Sequence, residues 1–393
     1  MAIAGIITEY DPFHAGHAWQ IGQAKQRGAE AVAVCMSSDV TQRGGMALLP
    51  PWVRAKAAVQ AGADLVLALP NPCVVQSAEG FAAAGVAALS ALPQLDWLVF
   101  GAETPDVDAL MEVAQMLDTP EFSRLLAEEL AQGHSFAKAR SNAAAGLNPV
   151  AGQVLASPNN NLGVEYCKAI LKSCSHLVPR PLARKGAAHG QLTPGEEGFA
   201  SATFVRKTWA EQGVHAVGEY LPPHAFALYQ QAHQQGLDPD SVRWQVAILS
   251  RLRQKSVAQL AQVRDTAEGL EHRLAAAVRQ SGSLEELYTQ MKTKRYAHAR
   301  IRRYVLCAAL DYHKDTPGQP AYLQVLAATQ KGLQLLRGSK LAADTSLARL
   351  ARTSAQAAQQ VQAHEQASDL TALCRRTPGP MGQCYTTAPY LVR

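Results

Sequence analysis

Within the first 105 residues, four short apolar runs (residues 3–8, 31–36, 64–69 and 96–100) alternate with stretches of helical spacing at 16–27, 51–61 and 76–92. A run that is apolar at every position, rather than at every second one, belongs to a strand covered on both faces. Strands of that kind separated by helices predict a parallel, doubly wound sheet, whose ligands sit beyond the carboxyl ends of its strands. Residues 107–145 continue with helical periodicity, and Ser157-Pro158 has the form of an N-cap with Pro at N1, opening a helix to about residue 172. A further strand is predicted at 179–184 and a helix at 202–213. Beyond residue 221 the periodicity is helical (223–234, 241–252, 257–279, 283–291 and 298–313), and the Ala- and Gln-rich tract 341–367 reads as helix rather than linker. The expected organisation is an α/β unit over 1–215 followed by a mainly helical, basic unit over 216–393.

A chain of 393 residues with 48% hydrophobic content has ample material for a large core. Its apolar runs all end well short of the roughly 18 residues that a membrane span needs. The N-terminus lacks a basic leader and runs directly into the first strand, so a cytoplasmic protein is expected. Seven cysteines without a C-x-x-C pair argue against both a disulfide framework and a zinc ribbon. Charge is unevenly spread: residues 1–200 carry 13 Lys/Arg against 18 Asp/Glu, whereas 201–393 carry 24 against 14. Phosphate-rich partners should therefore contact the second half.

Directly after the first strand comes Thr8-Glu9-Tyr10-Asp11-Pro12-Phe13-His14-Ala15-Gly16-His17, leading into a helix. Where a strand turns into a helix, His14 and His17 can face one anion, Gly16 permits close approach, and the helix end adds N–H groups and a positive dipole. Such a cradle suits displacement at an α-phosphate, which is nucleotidyl transfer. The same histidines could instead cap and pack the helix. A zinc site lacks a nearby third ligand, and no metal site in the protein is expected. Far along the chain, Ser201, Thr203 and Arg206 (S-x-T-x-x-R) stand at another helix start, where hydroxyls and a guanidinium could hold the β- and γ-phosphates or form an ordinary cap.

Together, H-x-G-H and S-x-T-x-x-R resemble the nucleotidyltransferase superfamily, with its Rossmann-like sheet. Residues 7–17 (ITEYDPFHAGH), 36–44 (MSSDVTQRG), 62–70 (GADLVLALP), 76–79 (QSAE), 100–103 (FGAE), 157–160 (SPNN) and 293–296 (TKRY) narrow it. In this order they are similar to the bacterial tRNA(Met) cytidine acetate ligase family, over residues 1 to about 310. The resemblance implies that ATP and acetate give acetyl-adenylate, whose acetyl group passes to N4 of the wobble cytidine of elongator tRNA(Met), with Mg2+ accompanying the ATP. It implies an ATP site made of Ile7, Thr8, Glu9, Tyr10, Asp11, Pro12, Phe13, His14, Ala15, Gly16 and His17, with Gly101, Asn159 and Arg184. Asp11 stands where Asn is usual, Asp39 where Asn or His is frequent, and the Tyr that commonly precedes the residue matching His189 is missing.

Gln42-Arg43-Gly44 follows the second strand on the same sheet edge, and Glu79 and Glu103 are second-rank candidates for orienting ribose or a metal. Lys292, Lys294, Arg295, Arg300, Arg302 and Arg303 place six cations within twelve residues beside Tyr296, His298 and Tyr304. Lys292, Lys294, Arg295, Arg300 and Arg303 are the expected RNA contacts, with aromatics available for stacking; a solvated face is the alternative. The partners implied are tRNA and acetate, with neither a membrane nor a protein partner. A small-molecule adenylyltransferase is the competing enzyme class, although it needs no basic helical half.

Overall fold

The computed structural model describes residues 2–184, 199–267, 269–293 and 296–392; His189, Lys294 and Arg295 lie outside them. Its strands are β1 (Ala2–Thr8), β2 (Ala29–Ser37), β3 (Leu65–Leu69), β4 (Trp97–Ala102), β5 (Val178–Ala183), β6 (Leu323–Thr329), β7 (Ala343–Asp344) and β8 (Tyr390–Val392). They form one sheet in the order β5-β4-β1-β2-β3-β6-β7, with β8 paired to β6. β1 to β5 are mutually parallel, as the apolar runs predict, and β6 lies antiparallel to β3.

Period-two alternation divides the strands between two buried layers. Ile7, Cys35, Leu67 and Phe100 face a core built with helices Ala78–Ser90 and Pro158–Lys172. Ile6, Val34, Val66 and Val99 face the other, built with helices Ala15–Gln26, Pro51–Gln60, Ala202–Gln212 and Pro223–Gln234. The chain runs from β1 outward through β2 and β3, then crosses back to β4 and β5 on the opposite side. That reversal makes the β1/β4 junction the switch point where a crevice opens. The two strands pair at Ala4 with Trp97 and Gly5 with Leu98, toward the amino end of β4.

The second half is mainly helical, as expected, but it also contributes strands that the sequence did not reveal. β6, β7 and β8 extend the sheet past β3, so its hydrogen bonds cross the expected boundary at residue 215. The tract 341–367 is not one helix: it contains β7, a turn of helix at Leu347–Leu350 and the start of the helix Ala355–Leu373. Nor is 257–279 continuous; it divides into Val257–Gln262 and Leu270–Gln280. Between them Val263 bridges to His313, the Arg264 N–H donates to the Tyr312 carbonyl, and Asp265 adopts a φ of 64°. Backbone groups spent on residues 312–313 cannot continue the helical ladder.

β6 is locked in place by Asp64. Thr329 donates its N–H to the Asp64 carbonyl (2.8 Å), and Thr329 Oγ1 caps Gly332 (3.1 Å). A β-carbon at Gly332 would lie 1.8 Å from the Asp64 carbonyl oxygen. Gly332→Ala must therefore push the β6 end away from β3, at a cost of about 1–3 kcal/mol. The expected result is a lower urea midpoint with an unchanged slope; a wild-type midpoint would show that this close approach does not hold the sheet edge.

Candidate active site

The loop between β1 and the helix Ala15–Gln26 is shaped by its own histidines. His14 is the N-cap: its Nδ1 accepts from Gly16 N (3.1 Å), and His17 Nδ1 accepts in return from His14 N (3.2 Å). This is a capping box with imidazoles in place of the usual hydroxyl and carboxylate. Two helix N–H groups expected to await an anion are thus already bonded. Because both Nδ1 atoms accept, both rings carry their proton on Nε2. The rings stack with centroids 3.8 Å apart, and His17 packs 4.7 Å from Tyr10 and 5.8 Å from Phe13. Burial, then Arg184 and Arg206, push the His14 imidazole down to about 3; burial, then His14 and Arg184, lower His17. The pair is neutral and offers two parallel N–H donors.

Arg206 joins the two motifs. It donates to the Asp11 carbonyl, its Nη1 lies 3.3 Å from Asp11 Oδ2, and its Nη2 donates to Thr203 Oγ1 (3.3 Å), while Ser201 Oγ caps the helix at Phe204 N (3.0 Å). Asp11 is accordingly not an unpaired carboxylate turned toward a triphosphate; its other oxygen accepts from Leu48 N (2.6 Å). Across the crevice, Arg184 follows β5, and a β-carbon at Gly101 would meet its side chain at 3.2 Å. Bare backbone at Gly101 leaves room for the aliphatic stem of Arg184 to lie over the β4 end.

Asn159 is drawn into a different bond. Its side-chain amide donates to Glu103 Oε1, and Glu103 Oε2 accepts from Asn160 N (2.9 Å). Glu103 therefore caps the helix Pro158–Lys172, whereas Ser157, which occupies the N-cap position, makes no side-chain cap bond. Glu79 is held by Lys168 (2.9 Å) and Lys172 (3.5 Å), with its carboxyl lowered chiefly by Lys168. Asp39 is buried; it accepts from Asn71 Nδ2 (2.9 Å) and lies 3.9 Å from His364 Nε2. Among the described residues no group of three His, Cys, Asp or Glu could hold a metal ion.

Several supporting residues escaped the sequence reading. Arg54, fully buried, donates to the carbonyls of Leu49 (2.9 Å), Glu9 and Ser38. Tyr229 holds the loop from the other side: its hydroxyl accepts from Phe13 N (2.9 Å). A charged residue within an otherwise apolar helix face was the available signal for Arg54; nothing local marks Tyr229.

The basic segment is only partly a free surface. Arg303 is 8% exposed and paired to Asp265 (2.7 Å), which removes it from the expected RNA contacts: its charge is spent inside the fold. Arg300 is half-buried, donates to the Asp265 carbonyl and lies over the Tyr296 ring (5.1 Å). Lys292, His298 and Arg302 are exposed, with Arg302 over Tyr288 at 5.2 Å.

Comparison with known proteins bears on the fold and the family. Residues 1–381 match the family profile described as HIGH Nucleotidyl Transferase. The tRNA(Met) cytidine acetate ligase of Caldanaerobacter subterraneus subsp. tengcongensis is 35% identical, over 86% of both chains. That of Halothermothrix orenii is 33% identical, over 86% of this chain and 84% of the relative. Crystal structures of Thermotoga maritima TmcAL, one bound with alpha-thio ATP and one apo, superpose over both full chains at 27% identity with TM-scores of 0.91 and 0.93. On both sequence and fold, the chain belongs to the HIGH nucleotidyl transferase family and, within it, to the tRNA(Met) cytidine acetate ligases.

Proposed function

We propose that this protein is an ATP-dependent ligase that activates acetate as acetyl-adenylate and transfers the acetyl group to N4 of the wobble cytidine of elongator tRNA(Met). The observation that carries the reading is the contact of Arg206 with Asp11, which makes the H-x-G-H loop and the late helix start one anion site. In the first step an acetate oxygen bonds to the α-phosphorus as the bond to the β-phosphate oxygen breaks, releasing pyrophosphate. The Nε2–H groups of His14 and His17 donate to the α-phosphate oxygens as their charge grows, while Arg184 and Arg206 neutralise the triphosphate. Mg2+ would travel with ATP, bound through its phosphates and water. In the second step tRNA docks on the 216–393 side. Lys292, Lys294, Arg295, Arg300 and Arg302 meet its phosphates, and Tyr296 and His298 offer stacking surfaces.

No helix among the described residues is long and apolar enough to cross a membrane, in keeping with a cytoplasmic site of action. The direct test is incubation of the purified protein with labelled acetate, ATP and tRNA(Met), followed by nucleoside mass spectrometry. N4-acetylcytidine that requires both ATP and acetate supports the reading; AMP transfer to a small phosphorylated acceptor instead overturns it.

His14→Ala and His17→Ala should each lower acetate-dependent pyrophosphate exchange by about 2–4 kcal/mol in activation free energy, as expected for loss of one preorganised donor. Full exchange in both would dismiss the imidazole cradle. The same rings set a pH dependence of stability. Unfolded His14 takes up a proton near its ordinary value of 6.5 but the folded ring only near about 3, so the unfolded state binds more protons between these values. Stability is fully present above about 6.5 and falls as pH drops through that window. His14→Asn, which keeps a capping side chain, should give a flatter plot of Tm against pH from 6.5 to 4; an unchanged slope would refute the buried, neutral state.

The RNA face is tested by Lys292, Arg300 and Arg302 together. Their replacement by Ala should make the slope of log tRNA affinity against log salt shallower by roughly two to three units, at about 0.7–0.9 per contact. Arg303→Ala should instead strand Asp265 and cost about 3 kcal/mol of stability. Wild-type salt dependence in the triple variant would put the RNA surface elsewhere.

A further inference from the structure

Three carboxylates flank the nucleotide crevice, and two of them are used up structurally. Asp11 holds Leu48 N and Arg206, and Glu103 caps a helix with both oxygens. Glu9 differs. Its Oε1 accepts from Gln42 N (2.6 Å), and its Oε2 has no hydrogen-bond partner among the described residues. Glu9 itself is half-buried, so that oxygen remains reachable.

The position of Glu9 is as telling as its free oxygen. Residues 41–45 form a tight turn, closed by Thr41 N to Gly45 O (2.8 Å) and Gly44 N to Thr41 O (3.0 Å). One side of this turn is the Gln42–Glu9 bond. Its other side, Gly44 at φ 80°, is pressed against the backbone of Arg302 and Arg303: a β-carbon there would lie 2.6 Å from the Arg302 carbonyl carbon. The 41–45 turn thus links the loop that carries Glu9 to the helix His298–Leu310 that carries the basic face. An acceptor docked on that face is thereby referenced, through one turn, to the loop that carries Glu9.

We infer that Glu9 Oε2 is the proton acceptor for the cytidine amine in the acetyl-transfer step. This inference rests on the function proposed above. The N4 nitrogen bonds to the acetyl carbonyl carbon as that carbon's bond to the AMP phosphate oxygen breaks. AMP leaves with the bonding pair, one N4 proton passes to Glu9, and the other stays on the new amide.

The surroundings of Glu9 suit the role. Asp11 lies on its own loop; Arg43 approaches from the 41–45 turn, Arg54 from the helix Pro51–Gln60, Tyr166 from Pro158–Lys172 and Arg206 from Ala202–Gln212. Burial first, and then Asp11, raise its carboxyl above the ordinary value, against the Gln42 N–H, Arg206 and Arg43. A more basic carboxylate is a better proton acceptor, provided it is ionised at working pH. Transfer should therefore rise with pH through the Glu9 titration and then level off.

The test uses the full-length protein and compares Glu9→Gln with Glu9→Ala. A glutamine still accepts from Gln42 N but takes no proton. Acetyl transfer from preformed acetyl-adenylate to tRNA(Met), measured in a single turnover, should fall in Glu9→Gln by about 10²-fold more than acetate-dependent pyrophosphate exchange falls, and lose its rising acid limb. Two results would overturn the assignment. Wild-type transfer and pH profile in Glu9→Gln, with a defect only in Glu9→Ala, would make Glu9 a positioning residue for the 41–45 turn. An equal fall of exchange and transfer would place it in activation. Failure of the parent reading is seen separately, as a wild-type protein that makes no acetyl-adenylate.

Discussion

The architecture of the site depends on one buried guanidinium. Arg54 enters from the helix after β2 and donates to three carbonyls in three segments: Glu9 in the loop after β1, Ser38 after β2, and Leu49 just before its own helix. A charge with no exposure is tolerable only when it is fully hydrogen-bonded and compensated. Here Asp11, Asp39 and Glu9 offset the cost of burial, which lowers the arginine. A neutral side chain of similar length could fill the space but would leave three inward-facing carbonyls without donors. The irregular loops at the strand ends therefore hold one relative position, and the imidazoles, Asp11 and Glu9 inherit it.

On that scaffold the chemistry follows from how the protons are placed. The capping box commits both Nδ1 atoms, so the tautomer of each histidine is set by backbone geometry rather than by the ligand. Stacking two imidazoles at 3.8 Å would be costly if both were charged, and burial together with Arg184 and Arg206 keeps them neutral. In the mechanism we propose, the division of labour is physical: arginines would supply the net charge that attracts a triphosphate, and the neutral rings directed N–H groups that respond as charge shifts onto the α-phosphate.

Legibility in the sequence followed the range of the interactions involved. β1 to β4 and the helices between them are local patterns of apolar runs and caps, and their alternation predicted the parallel, doubly wound sheet; the strand order that puts the switch point at β1/β4 came only from the structure. The H-x-G-H loop was readable because strand, loop and helix are contiguous. β6 was not, because a strand at the edge of a sheet is defined by its partner, β3, some 250 residues earlier in the chain. The break in 257–279 depends likewise on residues 312–313. Arg303 shows the limit of reading charge: six cations within twelve residues suggest a solvated or RNA-binding face, yet the helix turns this one toward Asp265. Asp11 shows the converse, since a carboxylate that looks hostile to ATP in sequence is tied down by Arg206 from 195 residues away.

The same long-range contacts make the two expected units interdependent. Asn71, at the end of β3, binds Asp39 with its side chain, donates its N–H to His364 Nδ1 (3.3 Å) and also bonds the His364 carbonyl (3.1 Å), which ties the helix Ala355–Leu373 to the loops after β2 and β3. Tyr229 braces Phe13 from the helix Pro223–Gln234, and the 41–45 turn meets the basic helix at Gly44. Each contact runs from beyond residue 215 to a loop at the carboxyl ends of β1, β2 or β3. A reactive acyl-adenylate gains from such an arrangement, because the surface that receives the acceptor and the loop that forms the adenylate are referenced to the same backbone, and orientation rather than strong base catalysis can supply much of the rate. Glycine at position 44 keeps that reference close: its positive φ and missing β-carbon let the turn lie directly on the helix that presents Arg302.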